Sequence, residues 1–162
     1  MKLMKIFCIL NPDYDDEDKV PTDSFYAGRL AKLLLADDLT KDTFIMSSTE
    51  KGSMVNAKQI ADLMEIDFHT FNELWSGNPD RTSGGPKPKF SIPVAANLIM
   101  SKIHNYKIIV VAMNQRHAKP VLKCMAEHIS SKTLICEGRF EVMLLDASGS
   151  VTKVSKVSFG KY

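Results

Sequence analysis

Hydrophobic and polar positions along the chain follow two periods. Short apolar runs at Met4–Leu10, Thr43–Ser47, Lys107–Met113, Phe140–Asp146 and Val151–Phe159 have the length and composition of strands. A shorter run, Phe68–Phe71, reads the same way. Between them, apolar residues recur at helical spacing. Tyr26, Leu30, Leu33 and Leu34 make one stripe, and Ala57, Ile60, Ala61 and Met64 a second. Ile92, Ala95, Ala96, Ile99 and Ile103 make a third, and Leu122, Met125, Ala126 and Ile129 a fourth. Each stripe is the buried face expected of an amphipathic helix. The last two strands are separated by the turn sequence "DASGS", which predicts a C-terminal hairpin.

Strands alternating with helices predict an α/β fold with a largely parallel sheet covered on both faces, a three-layer α/β/α sandwich. The 162 residues suit one domain over 1–162, and no internal repeat or linker interrupts them. The stretch Gly77–Lys89, "GNPDRTSGGPKPK", has the composition of a surface loop or lid. It does not match the GxxxxGK[ST] phosphate-binding loop, and no apolar strand runs directly into it.

Composition adds limits. With 44% hydrophobic and 25% charged residues the chain reads as an ordinary globular protein. A net charge of +2 implies no pull toward nucleic acid or a membrane surface, and the lysines of "KVSKVSFGKY" alternate as on an edge strand. No apolar run approaches the roughly 18 residues of a membrane helix. The start "MKLMKIFCIL" reads as a first strand, not a signal peptide. Cys8, Cys124 and Cys136 lack CxxC spacing, so neither a zinc site nor a disulfide framework is expected, and a cytoplasmic location is. The acidic run Asp13–Asp18 is read as a solvated loop rather than a metal site. No cofactor and no metal are implied.

Two strand exits draw attention. "KIFCILNPD" ends its apolar run at Asn11, and "KIIVVAMNQRHAKPV" ends one at Asn114, just before a helical pattern. In α/β folds active-site residues gather at such carboxyl ends. Further along, "TFIMSSTEKGSMVNAKQIADLM", "HTFNELWSGN" and the closing "FEVMLLDASGSVTKVSKV" complete a series of segments. In that order they resemble the histidine phosphatase (phosphoglycerate mutase-like) superfamily, small members in particular. Ser47, Ser48 and Ala57 fall on the family's S-S-P-x-x-R-A-x-x-T-A segment, and Asn72, Glu73 and Gly77 on its L-N-E-x-x-x-G segment.

The resemblance implies a phosphoglycerate mutase-like fold, and in the family a chemistry built on two histidines and two arginines. One histidine attacks phosphorus, the other histidine and the arginines hold the phosphoryl oxygens, and a carboxylic acid protonates the leaving group. Here "LNP" replaces the R-H-G triplet. Leu10 stands at the arginine, Asn11 at the nucleophile and Pro12 at the glycine; a one-residue shift puts Leu10 at the nucleophile. Gly52 stands at the second arginine, beside Lys51, and Asn114 or Met113 at the second histidine. Only Glu73 matches a chemical residue. An asparagine amide is no nucleophile, because its nitrogen lone pair is delocalised, but it donates and accepts hydrogen bonds.

The leading expectation is therefore a noncatalytic relative, a ligand-binding or protein-interaction scaffold. Asn11, Lys51, Glu73, Asn114 and Arg116 are its candidate ligand-binding residues, for a small polar or anionic ligand or a protein partner. The alternative is an active phosphatase or hydrolase with relocated acid–base residues, in which Glu73 with His117 or His69 activates water and Lys51 and Arg116 hold an anion. Each candidate also has a plainer role. Arg116 and His117 would be a solvated helix start, His69 a structural or surface ring, and Glu73 a loop carboxylate bonded to backbone amides. His104 and His128 fall near helix ends, where a cationic ring complements the dipole. Trp75 either packs under its loop or faces a partner. A third reading is an unrelated α/β nucleotide- or metabolite-binding protein, separable by strand order.

Overall fold

The computed structural model describes residues 4–12, 14, 17–75, 90–136, 141–157 and 159. Its strands are β1 (Lys5–Asn11), β2 (Thr43–Ser47), β3 (Phe68–Thr70), β4 (Ile108–Asn114), β5 (Thr133–Ile135), β6 (Val142–Asp146) and β7 (Thr152–Lys156). Its α-helices are α1 (Phe25–Ala36), α2 (Lys51–Met64), α3 (Ile92–Met100) and α4 (Gln115–Ile129). The seven strands form one sheet in the order β3-β2-β4-β1-β6-β7-β5. Only β6 runs against the others, pairing antiparallel with β1 and with β7. The β6–β7 pair is the hairpin that "DASGS" predicts.

Alternation along the strands sorts side chains onto two apolar faces. Ile6, Cys8, Met46, Ile109, Val111 and Met113 pack with the buried faces of α3 and α4. Phe7, Ile9, Ile45, Ile108, Val110 and Ala112 pack with those of α1 and α2. The central strand β4 is buried at all seven positions, as a parallel strand covered on both sides must be. The result is the three-layer arrangement expected from the sequence.

Helix starts follow local chemistry. The Ser24 hydroxyl accepts from the Ala27 N–H at 3.2 Å to start α1, and Ser91 does the same for Val94 at 3.3 Å to start α3. At the far end of α2, Glu65 adopts φ 57°, a left-handed turn that stops the helix.

Several details depart from the sequence pattern. The buried face of α1 is Ala27, Leu30, Ala31 and Leu34; Tyr26 and Leu33 stand exposed. Small alanines let α1 approach α2 closely, which turns the larger side chains outward. The stripe ending at Ile103 outruns its helix, since α3 stops at Met100 and turns follow. Strand β5 is additional. Gly77–Lys89, Gly77 itself, Phe140 and the acidic residues 13, 15 and 16 lie outside the described residues. No helix among the described residues is long and apolar enough to cross a membrane.

Candidate functional site

The sheet order places a switch point between β4 and β1, since the chain leaves β1 for β2 on the far side of β4. Crevices at such points, beyond the carboxyl ends of the strands, are where α/β folds bind ligands. Asn11 and Asn114 end these two strands and are direct register partners. By alternation both fall on the face covered by α1 and α2. The side chains meeting them there come from the start of α2.

The contacts are specific. The Ser53 hydroxyl donates to Asn11 Oδ1 at 2.5 Å, which turns the Asn11 amide nitrogen toward Glu50. Asn11 Nδ2 donates to Glu50 Oε2 at 3.4 Å and to the Pro12 carbonyl at 3.3 Å. Asn114 Nδ2 donates to the same Glu50 Oε2 at 3.2 Å, while its Oδ1 accepts from the Arg116 N–H at 2.8 Å and caps α4. Asn11 and Asn114 are buried and Glu50 is half-buried. Glu50 is the N-cap residue of α2 but makes no side-chain cap; its carboxylate reaches across to the two amides instead.

The helix can come this close because residue 52 is glycine. A β-carbon there would stand 3.0 Å from Asn11 Nδ2 and 3.2 Å from both Asn11 Cβ and Cγ. The loop before α2 is fixed by the Ser48 N–H donating to the Ala112 carbonyl at 2.9 Å and the Ser47 hydroxyl donating to the Ser48 carbonyl at 2.8 Å.

The remaining candidates are spread around this cluster. Lys51 is exposed in the first turn of α2, next to Glu50. Arg116 is exposed at the start of α4, and the His117 ring stacks on Phe90 with centroids 4.4 Å apart. His69 stacks on Phe44 at 4.9 Å, on the face that α3 and α4 cover. Glu73 is exposed in a 3-10 turn, Asn72–Leu74, after β3, which β2 and β4 separate from β1. Trp75 is half-buried just beyond. His128 lies in the last turn of α4, and His104 in the turns after α3. Cys8 is fully buried, and burial pushes its thiol up to about 12, so it offers no thiolate near neutral pH. Among the described residues no three His, Cys, Asp or Glu side chains gather as metal ligands do.

Glu50 and Ser53 are the residues that sequence reasoning missed. A signal was available in the geometry that alternation predicts. Two asparagines on one face of adjoining strands need an acceptor for their amide hydrogens, and "STEKGS" supplies a carboxylate at the next helix start.

No protein-family profile matches the sequence, and no curated protein matches it. Solved structures do match in shape. The protein of the open reading frame Rv3214 from Mycobacterium tuberculosis gives a TM-score of 0.52 at 8% identity, over 94% of this chain and 95% of that one. The mycobacterial glucosyl-3-phosphoglycerate phosphatase Rv2419c, in its complex with VO3, gives 0.50 at 11% identity, over 90% of this chain and 92% of that one. Identities this low speak to the fold alone: over most of its length the chain shares the mixed α/β, phosphoglycerate mutase-like fold of these two proteins.

Proposed function

We propose that this protein is a noncatalytic relative of the histidine phosphatases, a binding or interaction scaffold without phosphohistidine chemistry. One observation carries the proposal: the Glu50 carboxylate accepts from the amides of both Asn11 and Asn114. In the family resemblance these two positions belong to the nucleophilic and the phosphate-binding histidine. Here they hold amides, and the group they turn toward is the chain's own anion.

The electrostatics run against a phosphoryl group at this point. Two like unit charges about 4 Å apart near a protein surface repel by roughly 4 kcal/mol, less where water penetrates. An anion bound at the Asn11 and Asn114 amides would lie against the Glu50 carboxylate that they already hold. The position of the second family arginine is Gly52, and a β-carbon there would crowd Asn11 at 3.0–3.2 Å. Amide, carboxylate and glycine therefore fit one another as a set, and together they suit a scaffold better than a phosphoryl-transfer centre. Turnover of an aryl phosphate by the purified protein tests the proposal, with no rate above a no-protein control expected.

A further inference from the structure

We propose that the cleft beside Asn11 is a binding site for a small organic cation, an ammonium group on a compact apolar body. The proposal deepens the reading above and rests on it in one respect, since Asn11 and Gly52 form part of the same wall. The cleft encloses about 280 Å³ between the end of β1, the start of α1 and the first turns of α2. That is close to the small end of the range for pockets that take small molecules.

Three features of the lining point to a cation. The charged groups are Asp23 and Glu141, and among the described residues no lysine, arginine or histidine joins them. Neither carboxylate forms an ion pair or hydrogen bond with another described side chain. The rings of Tyr14, Phe25 and Tyr26 line the same space, and Phe25 and Tyr26 are 68% and 36% exposed. Aromatic faces attract ammonium groups through their quadrupole, and acidic neighbours add to that attraction. Phe25 already does this within the chain, with the Arg29 guanidinium carbon 5.3 Å from its centroid. Tyr26 meets Phe25 edge-on with centroids 5.3 Å apart, so the two rings together form one aromatic side of the cleft.

The third feature is Asn56. It lines the cleft, is only 6% exposed, and its side chain hydrogen-bonds to no other described residue. Every fully enclosed side-chain nitrogen or oxygen among the described residues has a partner, so the Asn56 amide keeps some accessible surface, and the cleft is the space that Asn56 lines. An amide that lines a cavity without a protein partner is free to bond to water or to a ligand there. Its oxygen can accept from an ammonium N–H or from a hydroxyl next to the charge.

A matched pair of probes tests this, first on the unaltered protein. Choline and its uncharged isostere 3,3-dimethyl-1-butanol differ by the charge alone. Titrating each into the full-length protein, followed by amide NMR shifts, should show choline binding at least about tenfold more tightly, with shifts centred on Tyr26 and Asn56. The double variant Asp23→Asn, Glu141→Gln changes exposed side chains only, so folding should persist. It should abolish the preference for choline while leaving weak binding of the isostere. Equal affinity for the two probes, no shifts with choline, or tighter binding of inorganic phosphate would overturn the cation site. None of these results depends on whether an aryl phosphate is hydrolysed, so the two proposals fail separately.

Discussion

Substituting Gly52 by alanine probes the geometry on which the site depends. Gly52 is the second residue of α2, where replacing glycine normally stabilises a helix by about 0.5–1 kcal/mol. Here the new β-carbon would meet three Asn11 atoms at 3.0–3.2 Å. Asn11 cannot retreat easily, since its strand is paired on both sides and Ser53 holds its Oδ1. Overpacking of this kind costs about 1–3 kcal/mol, so Gly52→Ala should be net destabilising by roughly 1 kcal/mol. At this chain length that lowers Tm by about 2–4 °C. In an Asn11→Ala background two of the three close atoms are gone. Asn11→Ala alone should cost about 1–3 kcal/mol, because the buried Ser53 hydroxyl loses its acceptor. Adding Gly52→Ala to it should then be near neutral or mildly stabilising. The double-mutant cycle, measured by urea unfolding, should give a coupling of at least about 1 kcal/mol. Gly52→Ala raising stability equally in both backgrounds would refute the close approach of α2 to Asn11.

Two further outcomes follow from the same structure. Glu50→Ala removes the shared acceptor of two amides; the bonds are long and Glu50 is half-buried, so water replaces part of the loss. A destabilisation of about 1–2 kcal/mol is expected in urea titration, with Glu50→Gln recovering much of it. Burial alone would raise the carboxyl of Asp146, but hydrogen bonds from the Ser148 hydroxyl and N–H, with the charges of Lys5 and Lys153, outweigh it and hold it below its ordinary value. A depressed carboxylate stabilises the fold above its unfolded pKa and loses that contribution as pH falls through the folded value. Asp146→Asn should therefore lower stability at pH 7, and the gap to wild type should close as both are titrated below about pH 4. A gap that stays constant with pH would show that the charge contributes nothing.

Much of the fold is legible in the sequence because it is written in local patterns. The β-branched run Ile108–Val111 is fully buried on both faces, as its unbroken apolar character implies. The α2 stripe lies wholly in the core for the same reason. Strand β5 was not legible. It has three residues, pairs only with β7 at the sheet edge, and carries no alternation long enough to read. The face of α1 departs from its hydrophobic stripe because alanines, which weigh little in a hydrophobicity count, are part of its buried side.

The site was legible at its two asparagines and not at their partners. Asn11 and Asn114 follow from where apolar runs end. Glu50 and Ser53 are about 40 to 60 residues away along the chain, and their role depends on the β1–β4 register and on how deeply α2 sits. The side chains chosen for their chemistry are less connected than their types suggest. His69 and His117 each stack on a phenylalanine, a packing role as well as a chemical one. The cleft beyond Asn11 leaves no local signature in the sequence, because its aromatic and acidic residues are dispersed from Tyr14 to Glu141.

The central claim, a phosphatase fold without phosphatase chemistry, is tested most directly by aryl phosphate turnover at high protein concentration. Wild type should be assayed beside Asn11→Ala, Glu73→Gln and His117→Ala. The account predicts that all four match the no-protein control. Turnover that scales with wild-type concentration and disappears in Glu73→Gln or His117→Ala would contradict it and establish a working active site built from those residues.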